Sequence, residues 1–318
     1  MRLTSIFKRR ENPRDDFARR IMARLQERGW PHEMTYDAKR FAVNLGDGGG
    51  GVMHLENTYR EWLRFPEAER EGGLDAAVAH VLEDKAPLGF EQAQDLLLPA
   101  IRNRFDAESV GRADEASRRV ASAPVAGHLA VLVAIDREHS LSMVSDAQVA
   151  EWGVSFDSLL ERAVANLESR SPCRFERHEG GFFVSDFGDY YDASRLLLPG
   201  LFQQLELKGD PVAVAVSRTG LVVTGSEETQ HLIAMAKFVS QAVLDETRPI
   251  SYAPLVWRGG AWDLFEPHEP ALASVRELAA KQRLWDYQKQ LNALEEEKSG
   301  REVFVAKAEG RYDGDELQ

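Results

Sequence analysis

The chain has 318 residues, 43% of them hydrophobic and 29% charged, and a formal net charge of −13 at pH 7. That length and mix suit a folded protein with room for two cores and exclude a largely disordered one. The negative charge opposes a phosphate backbone, and no Lys/Arg stripe interleaved with aromatics overrides it, so no nucleic-acid partner is expected.

The basic start, Arg2 to Arg14, meets Asp15-Asp16 at once and reads as a solvated tail over 1–14. It has neither the apolar core nor the small-residue cleavage site of a signal peptide. No apolar run reaches the roughly 18 residues of a membrane helix. Cys173 is the single cysteine, which rules out an intrachain disulfide and a four-cysteine zinc site. A cytoplasmic protein with no membrane partner is expected.

Phe17, Ile21, Met22 and Leu25 fall at helical intervals and Gly29 stops the run, giving a helix over Asp15 to Arg28. Arg40 to Leu45 and Gly51 to Leu55 read as a hairpin with a glycine tip. Asn57 is positioned to cap a helix carrying Tyr59, Trp62, Leu63 and Phe65, and a further helix runs from Leu74 to about Asp84. These elements make a small N-terminal αββα domain over 15–85. Residues 86–127 read as a connector in which Leu96 to Ile101 is extended.

A larger domain is expected over 128–308. His128 to Ile135 turns into Ser140 to Val144, and Ser155 caps a helix with Phe156, Leu159, Leu160, Ala163, Val164 and Leu167 on one face. Cys173 to Arg177 pairs with Phe182 to Ser185, Val212 to Val216 with Leu221 to Thr224, and Ser251 to Trp257 with Ala261 to Phe265. Helices are expected over Asp189 to Leu207 and Glu227 to Leu244. Strands joined by hairpins with helices between them predict an α+β fold, hairpin-rich, with a mainly antiparallel sheet and helices packed on it.

The last helix, 271–298, stands as an insertion. Leu284, Tyr287, Leu291 and Leu294 fall at 0, 3, 7 and 10, an apolar seam on a charged helix. The seam either packs on its parent domain or forms a candidate interface for a protein partner or self-association. Val303 to Ala306 reads as a final strand, and 309–318 as a frayed acidic tail. Leu-Leu-Leu-Pro occurs at 96–99 and 196–199 without wider self-similarity and is treated as coincidence.

No complete catalytic, metal or cofactor motif emerges, so no cofactor is expected. The eight histidines are isolated, with no His-x-x-x-His. The Gly46 to Gly51 tract lacks a following Gly-Lys-Ser/Thr and leads into a strand, so it reads as a hairpin tip. Cys173 reads as a half-buried structural thiol. Asp-Phe-Gly at 186–188 lacks the other kinase elements.

The densest polar and aromatic cluster is Ser185 to Arg195. Asp189 or Asp192 could cap the following helix. Alternatively Arg170, Asp189, Tyr190, Tyr191, Asp192 and Arg195 form a candidate recognition patch. Three functions follow: a non-enzymatic binding or interaction module, a hydrolase-like enzyme using Asp189, Asp192, His178 and Arg195, or a secretion-chaperone-like or toxin-neutralising protein.

Ala165-Asn-Leu-Glu-Ser-Arg-Ser-Pro172 followed by a short hairpin and Tyr191-Asp-Ala-Ser-Arg-Leu-Leu197 resembles the YtpQ-like family of uncharacterised bacterial proteins. The N-terminal helix and hairpin, Pro99-Ala-Ile-Arg102 and Val303-Phe-Val-Ala-Lys307 also fit that pattern. The resemblance implies a cytosolic α+β protein and carries no established catalytic residue. The helix 271–298 departs from the family pattern.

Overall fold

The structure is a computed structural model that describes residues 12–46, 52–82, 88–106, 119–138, 140–246 and 248–297 and the pairs 312–313 and 316–317. The chain divides into two compact units, 1–87 with 137–140, and the remainder.

In the first unit α1 (Pro13–Glu27) begins where the Asn12 side chain accepts from the Arg14 amide, and it buries Phe17, Ala18, Ile21 and Leu25. Strands β1 (Thr35–Asp37), β2 (Ala42–Asn44) and β3 (Val52–His54) form an antiparallel sheet in that order. The strand β1 adds to the expected hairpin. It is too short and polar to announce itself, and Tyr36 ties it down by donating 2.9 Å to Asp15. Helices α2 (Glu56–Arg64) and α3 (Arg70–Leu82) close the unit. Asn57 is not a cap: α2 starts at Glu56, with Leu55 at the cap position and no side-chain bond. The buried Leu55 side chain and its amide bond to Phe41 fix the helix start there. Phe17 packs 5.1 Å from the rings of both Tyr59 and Trp62.

Among the described residues the second unit holds two larger antiparallel sheets and a two-stranded pair at 312–317. Strands β4 (Leu97–Asn103), β5 (Ser122–Ala126), β6 (Leu129–Asp136) and β7 (Leu141–Met143) form the four-stranded one, ordered β4-β6-β5 with β7 also on β6. Part of the expected connector 86–127 is therefore sheet, since β4 pairs with β6 from Leu97↔Ile135 to Asn103↔Leu129. Pro99 lacks an amide donor, but β4 is an outer strand, where a missing donor is tolerated. Short α4 (Phe90–Ala93) precedes it. Helix α5 (Asp146–Trp152), capped by Ser145, was not anticipated, whereas α6 (Phe156–Ser169) is capped by Ser155 as expected.

The larger sheet contains β8 (Phe175–Arg177), β9 (Phe183–Ser185), β10 (Pro211–Ser217), β11 (Gly220–Gly225), β12 (Leu255–Arg258) and β13 (Ala261–Leu264). Its order is β13-β12-β10-β11-β9-β8, antiparallel throughout. Side-chain alternation along β10 and β11 splits the core into two layers. Val212, Val214, Val216 and Val222 pack on Leu232, Met235 and Val239 of α7 (Thr229–Asp245) and on Val275 and Leu278 of α8 (Ala273–Glu297). Ala213, Ala215, Leu221 and Val223 face Ile101, Leu129, Val131, Leu196 and Phe202. The fold is α+β.

Residues 189–207 do not form the expected α-helix. They make two 3-10 turns, Ala193–Leu197 and Pro199–Gln204. Pro199 supplies no amide and its ring obstructs an upstream carbonyl, so a continuous helix breaks there. The first Leu-Leu-Leu-Pro thus enters a strand and the second lies at this 3-10 junction. Val303 to Ala306 and the tip 47–51 lie outside the described residues. Within the acidic tail, Tyr312 pairs with Leu317 and Asp313 with Glu316.

Candidate functional site

The segment between β9 and the first 3-10 turn is organised by Arg195, whose side chain has 0% exposure. A buried guanidinium needs its charge and its donors answered. Nη1 and Nη2 each donate 2.8 Å to a different oxygen of Asp189, Nε donates 3.0 Å to Ser171, and the guanidinium carbon lies 3.6 Å from the Phe187 ring centroid. Ser171 in turn donates 2.7 Å to the Leu167 carbonyl at the end of α6. Burial pulls the Asp189 carboxyl upward, but its bonds from Arg195 and the Tyr191 amide more than offset this and hold it below the ordinary range.

The other patch residues divide by exposure. Asp192 is buried, and burial, reinforced by Asp189, raises its carboxyl despite a bond with Ser185. Neither Asp189 nor Asp192 caps a helix in the expected sense: Asp192 occupies a cap position without a side-chain bond, and Asp189 accepts 2.9 Å from the Tyr191 amide. Tyr191 is 5% exposed, packed with Leu98, Leu167 and Leu198. Tyr190 is exposed, with the Arg218 guanidinium 5.0 Å from its ring centroid. Arg170 is half exposed and reaches to 3.9 Å from Asp136.

The hydrolase-like set does not assemble. The His178 ring stacks on Phe182 at 4.4 Å and its Nδ1 accepts from the Gly180 amide, while Asp189 is committed to Arg195. Cys173 is exposed rather than half-buried, and what burial its thiol has pushes it up, away from the thiolate a nucleophile needs. Among the described residues no group of three or more His, Cys, Asp and Glu gathers as a metal set.

A polar network the sequence did not reveal joins α8 to the sheets. Gln282 accepts 2.8 Å from the Tyr252 amide and donates 2.7 Å to Asp286, which also accepts 3.0 Å from Asn103. Nearby, His128 Nε2 lies 2.8 Å from Ser251 Oγ. Burial first, then the charges of Arg104 and Lys289, lower His128 to about 4. Ser251 is completely buried and accepts from the Ala253 amide, so this pair offers no accessible nucleophile. Only the helical spacing of Gln282 and Asp286 hinted at the network, since its other members come from distant segments.

The seam lies on the opposite side of α8. Val275, Leu278, Ala279 and Gln282 face the core, whereas Leu284, Tyr287 and Leu294 are exposed, Tyr287 at 59%, and Leu291 is partly exposed. At 100° per residue the four seam positions centre nearly half a turn from the buried stripe. The seam therefore does not pack into the core of its own unit.

A UPF0354 protein of Shouchella clausii is 24% identical to this chain over 253 residues, covering 77% of this chain and 92% of that protein. No protein-family model matches the chain, and no solved structure matches it. Among the described residues no helix is long and apolar enough to cross a membrane.

Proposed function

We propose that this chain is a cytoplasmic, non-enzymatic binding protein of the YtpQ-like kind that self-associates by antiparallel pairing of α8 with α8 of a second copy. The observation that carries this reading is the exposed seam of Leu284, Tyr287 and Leu294 opposite the buried face of the helix. A heptad-like 0, 3, 7, 10 spacing suits a matching helix, and a two-fold interface needs the same patch on both copies. Charge favours the antiparallel arrangement: Arg283 precedes the seam and the sequence Glu295-Glu-Glu297 follows it, so opposite signs meet. The existing ion pair of Arg283 with Glu266 is solvent-exposed and worth little, so it does not oppose re-pairing. Four seam side chains make a small interface, and the dimer is concentration-dependent.

Within this reading Arg170, Asp189, Tyr190, Tyr191, Asp192 and Arg195 serve recognition unequally. Tyr190 and Arg170 present the contacts, and the buried Arg195 holds their supporting loop.

The test is light scattering across a concentration series for the full chain and for Leu284→Asp/Leu294→Asp. Concentration-dependent dimerisation lost in the variant, with an unchanged urea midpoint, supports the reading. A wild-type chain that stays monomeric, or a variant that dimerises as before, overturns it. Arg283→Glu weakens an antiparallel dimer and leaves the monomer folded.

A further inference from the structure

Helix α8 is held to its unit in two different ways along its length. Its first half is fixed by apolar burial, with Val275 and Leu278 fully buried in the core and Ala279 and Ala280 buried beside them. Gln282 ends this, and no described side chain of the helix beyond it is buried. The face that meets the unit continues nonetheless. Gln282, Trp285, Asp286 and Lys289 stand at helical spacings that prolong the Val275 and Leu278 stripe, opposite the exposed seam.

What this second stretch meets is mainly polar. Asn103 donates 3.0 Å to the Asp286 oxygen that also accepts 2.7 Å from Gln282. Lys289 Nζ lies 2.6 and 2.5 Å from the two oxygens of Asp106. The Trp285 ring meets Tyr252 edge-on at 5.5 Å and the Lys289 ammonium at 4.2 Å. The other side of these contacts is firmly seated. Asn103 is buried and accepts 3.0 Å from the Phe105 amide, and the Arg104 amide donates 2.9 Å to the His128 carbonyl.

Apolar burial resists opening because water offers no substitute for it, whereas hydrogen bonds and ion pairs are exchanged for contacts with water at little net loss. Lys289 is 18% exposed and Asp106 49%, so dissolved salt reaches their pair. Burial raises the Asp286 carboxyl against the pull of Asn103, Gln282 and the charges of Lys289 and Arg104, so the closed state holds a carboxylate that is incompletely answered. A detached segment of about 15 residues is only marginally helical in water.

We infer that Asn103 and Asp106 form a salt-sensitive latch on Asp286 and Lys289 that keeps the distal half of α8 folded, and that this half opens and unwinds in one step while the first half stays in the core. Local openings of this kind follow the boundaries of apolar burial. Leu284, Tyr287, Leu291 and Leu294 all lie in the distal half, so the latch decides whether the seam exists as a continuous helical face. The latch stands without self-association.

Hydrogen exchange read by mass spectrometry on the full chain, with sodium chloride raised from about 0.05 M to about 0.5 M, tests this. The measurement is repeated in the Leu284→Asp/Leu294→Asp background, so that pairing between copies does not mask opening. Amides over 284–292 are expected to exchange together and faster at high salt, while those over 275–280 keep their protection. Lys289→Met speeds the distal exchange about two- to fivefold at low salt and removes most of the salt response. Asp106→Asn does the same from the other side of the pair, and stands in should Lys289→Met lower the urea midpoint. Gln288→Ala, whose side chain bonds only along the exposed face to Asn292 among the contacts described, is the control and keeps wild-type exchange or slows it. Distal amides as protected as the first half at both salts, a graded fraying that neither latch variant changes, or equal loss of protection in the first half overturns the inference.

Discussion

Arg195 grips Asp189 through two parallel 2.8 Å hydrogen bonds, from a position with no solvent exposure to a carboxylate that is partly exposed. The pair decides how the whole segment 187–195 is held, because the same guanidinium also fastens Ser171 and faces the Phe187 ring.

Removing one partner of this pair leaves a buried charge unanswered. Asp189→Ala is expected to cost about 3 kcal/mol in urea denaturation, and Arg195→Ala a similar amount. The double variant Asp189→Leu/Arg195→Met should cost clearly less than the sum of Asp189→Leu and Arg195→Met alone, since no stranded charge remains. Additivity within about 0.5 kcal/mol would show that the two residues act independently.

His128 gives the protein an acid limit. Its native-state value is about 4 against the ordinary 6.5, so between these the unfolded chain binds the extra proton and stability rises with pH. Stability is therefore lost as pH falls from 6.5 towards 4, by about 3 kcal/mol at most from this group. Denaturation at several pH values, comparing wild type with His128→Gln, should show the variant with a flatter acid slope. Identical slopes would remove His128 as the cause.

Gly181 turns the β8–β9 hairpin at φ +87°, where an added Cβ would also collide with the His231 ring. Gly181→Ala is expected to destabilise by about 1–3 kcal/mol. Gly29, at φ +88° with open space around it, pays the backbone strain alone, so Gly29→Ala should cost less. Thermal melts of both variants measure the steric share at Gly181 as the difference.

Much of the fold was legible because hairpins announce themselves locally. The sequences around Gly220 and Gly259-Gly260 carry turn residues between apolar strands, and the structure pairs them as read. Ser155 capped its helix for the same local reason. What escaped was set by distant partners. Leu96 to Ile101 was read as extended, but its pairing with β6 was not, and 189–207 is 3-10 because Pro199 interrupts it amid tight packing. The polar cluster at 185–195 was visible as composition, but its organisation was not. Ser171 and Arg195, from the two halves of the most distinctive sequence pattern, are joined by one hydrogen bond across 24 residues.

The ends of the six-stranded sheet constrain how the molecule meets its neighbours. Its outermost strands, β8 and β13, have three and four residues, and Glu176, Arg177 and Asp263 lie on them. Brief, charged borders make poor templates for a further strand. Crowded molecules are thereby discouraged from growing into fibrils edge to edge.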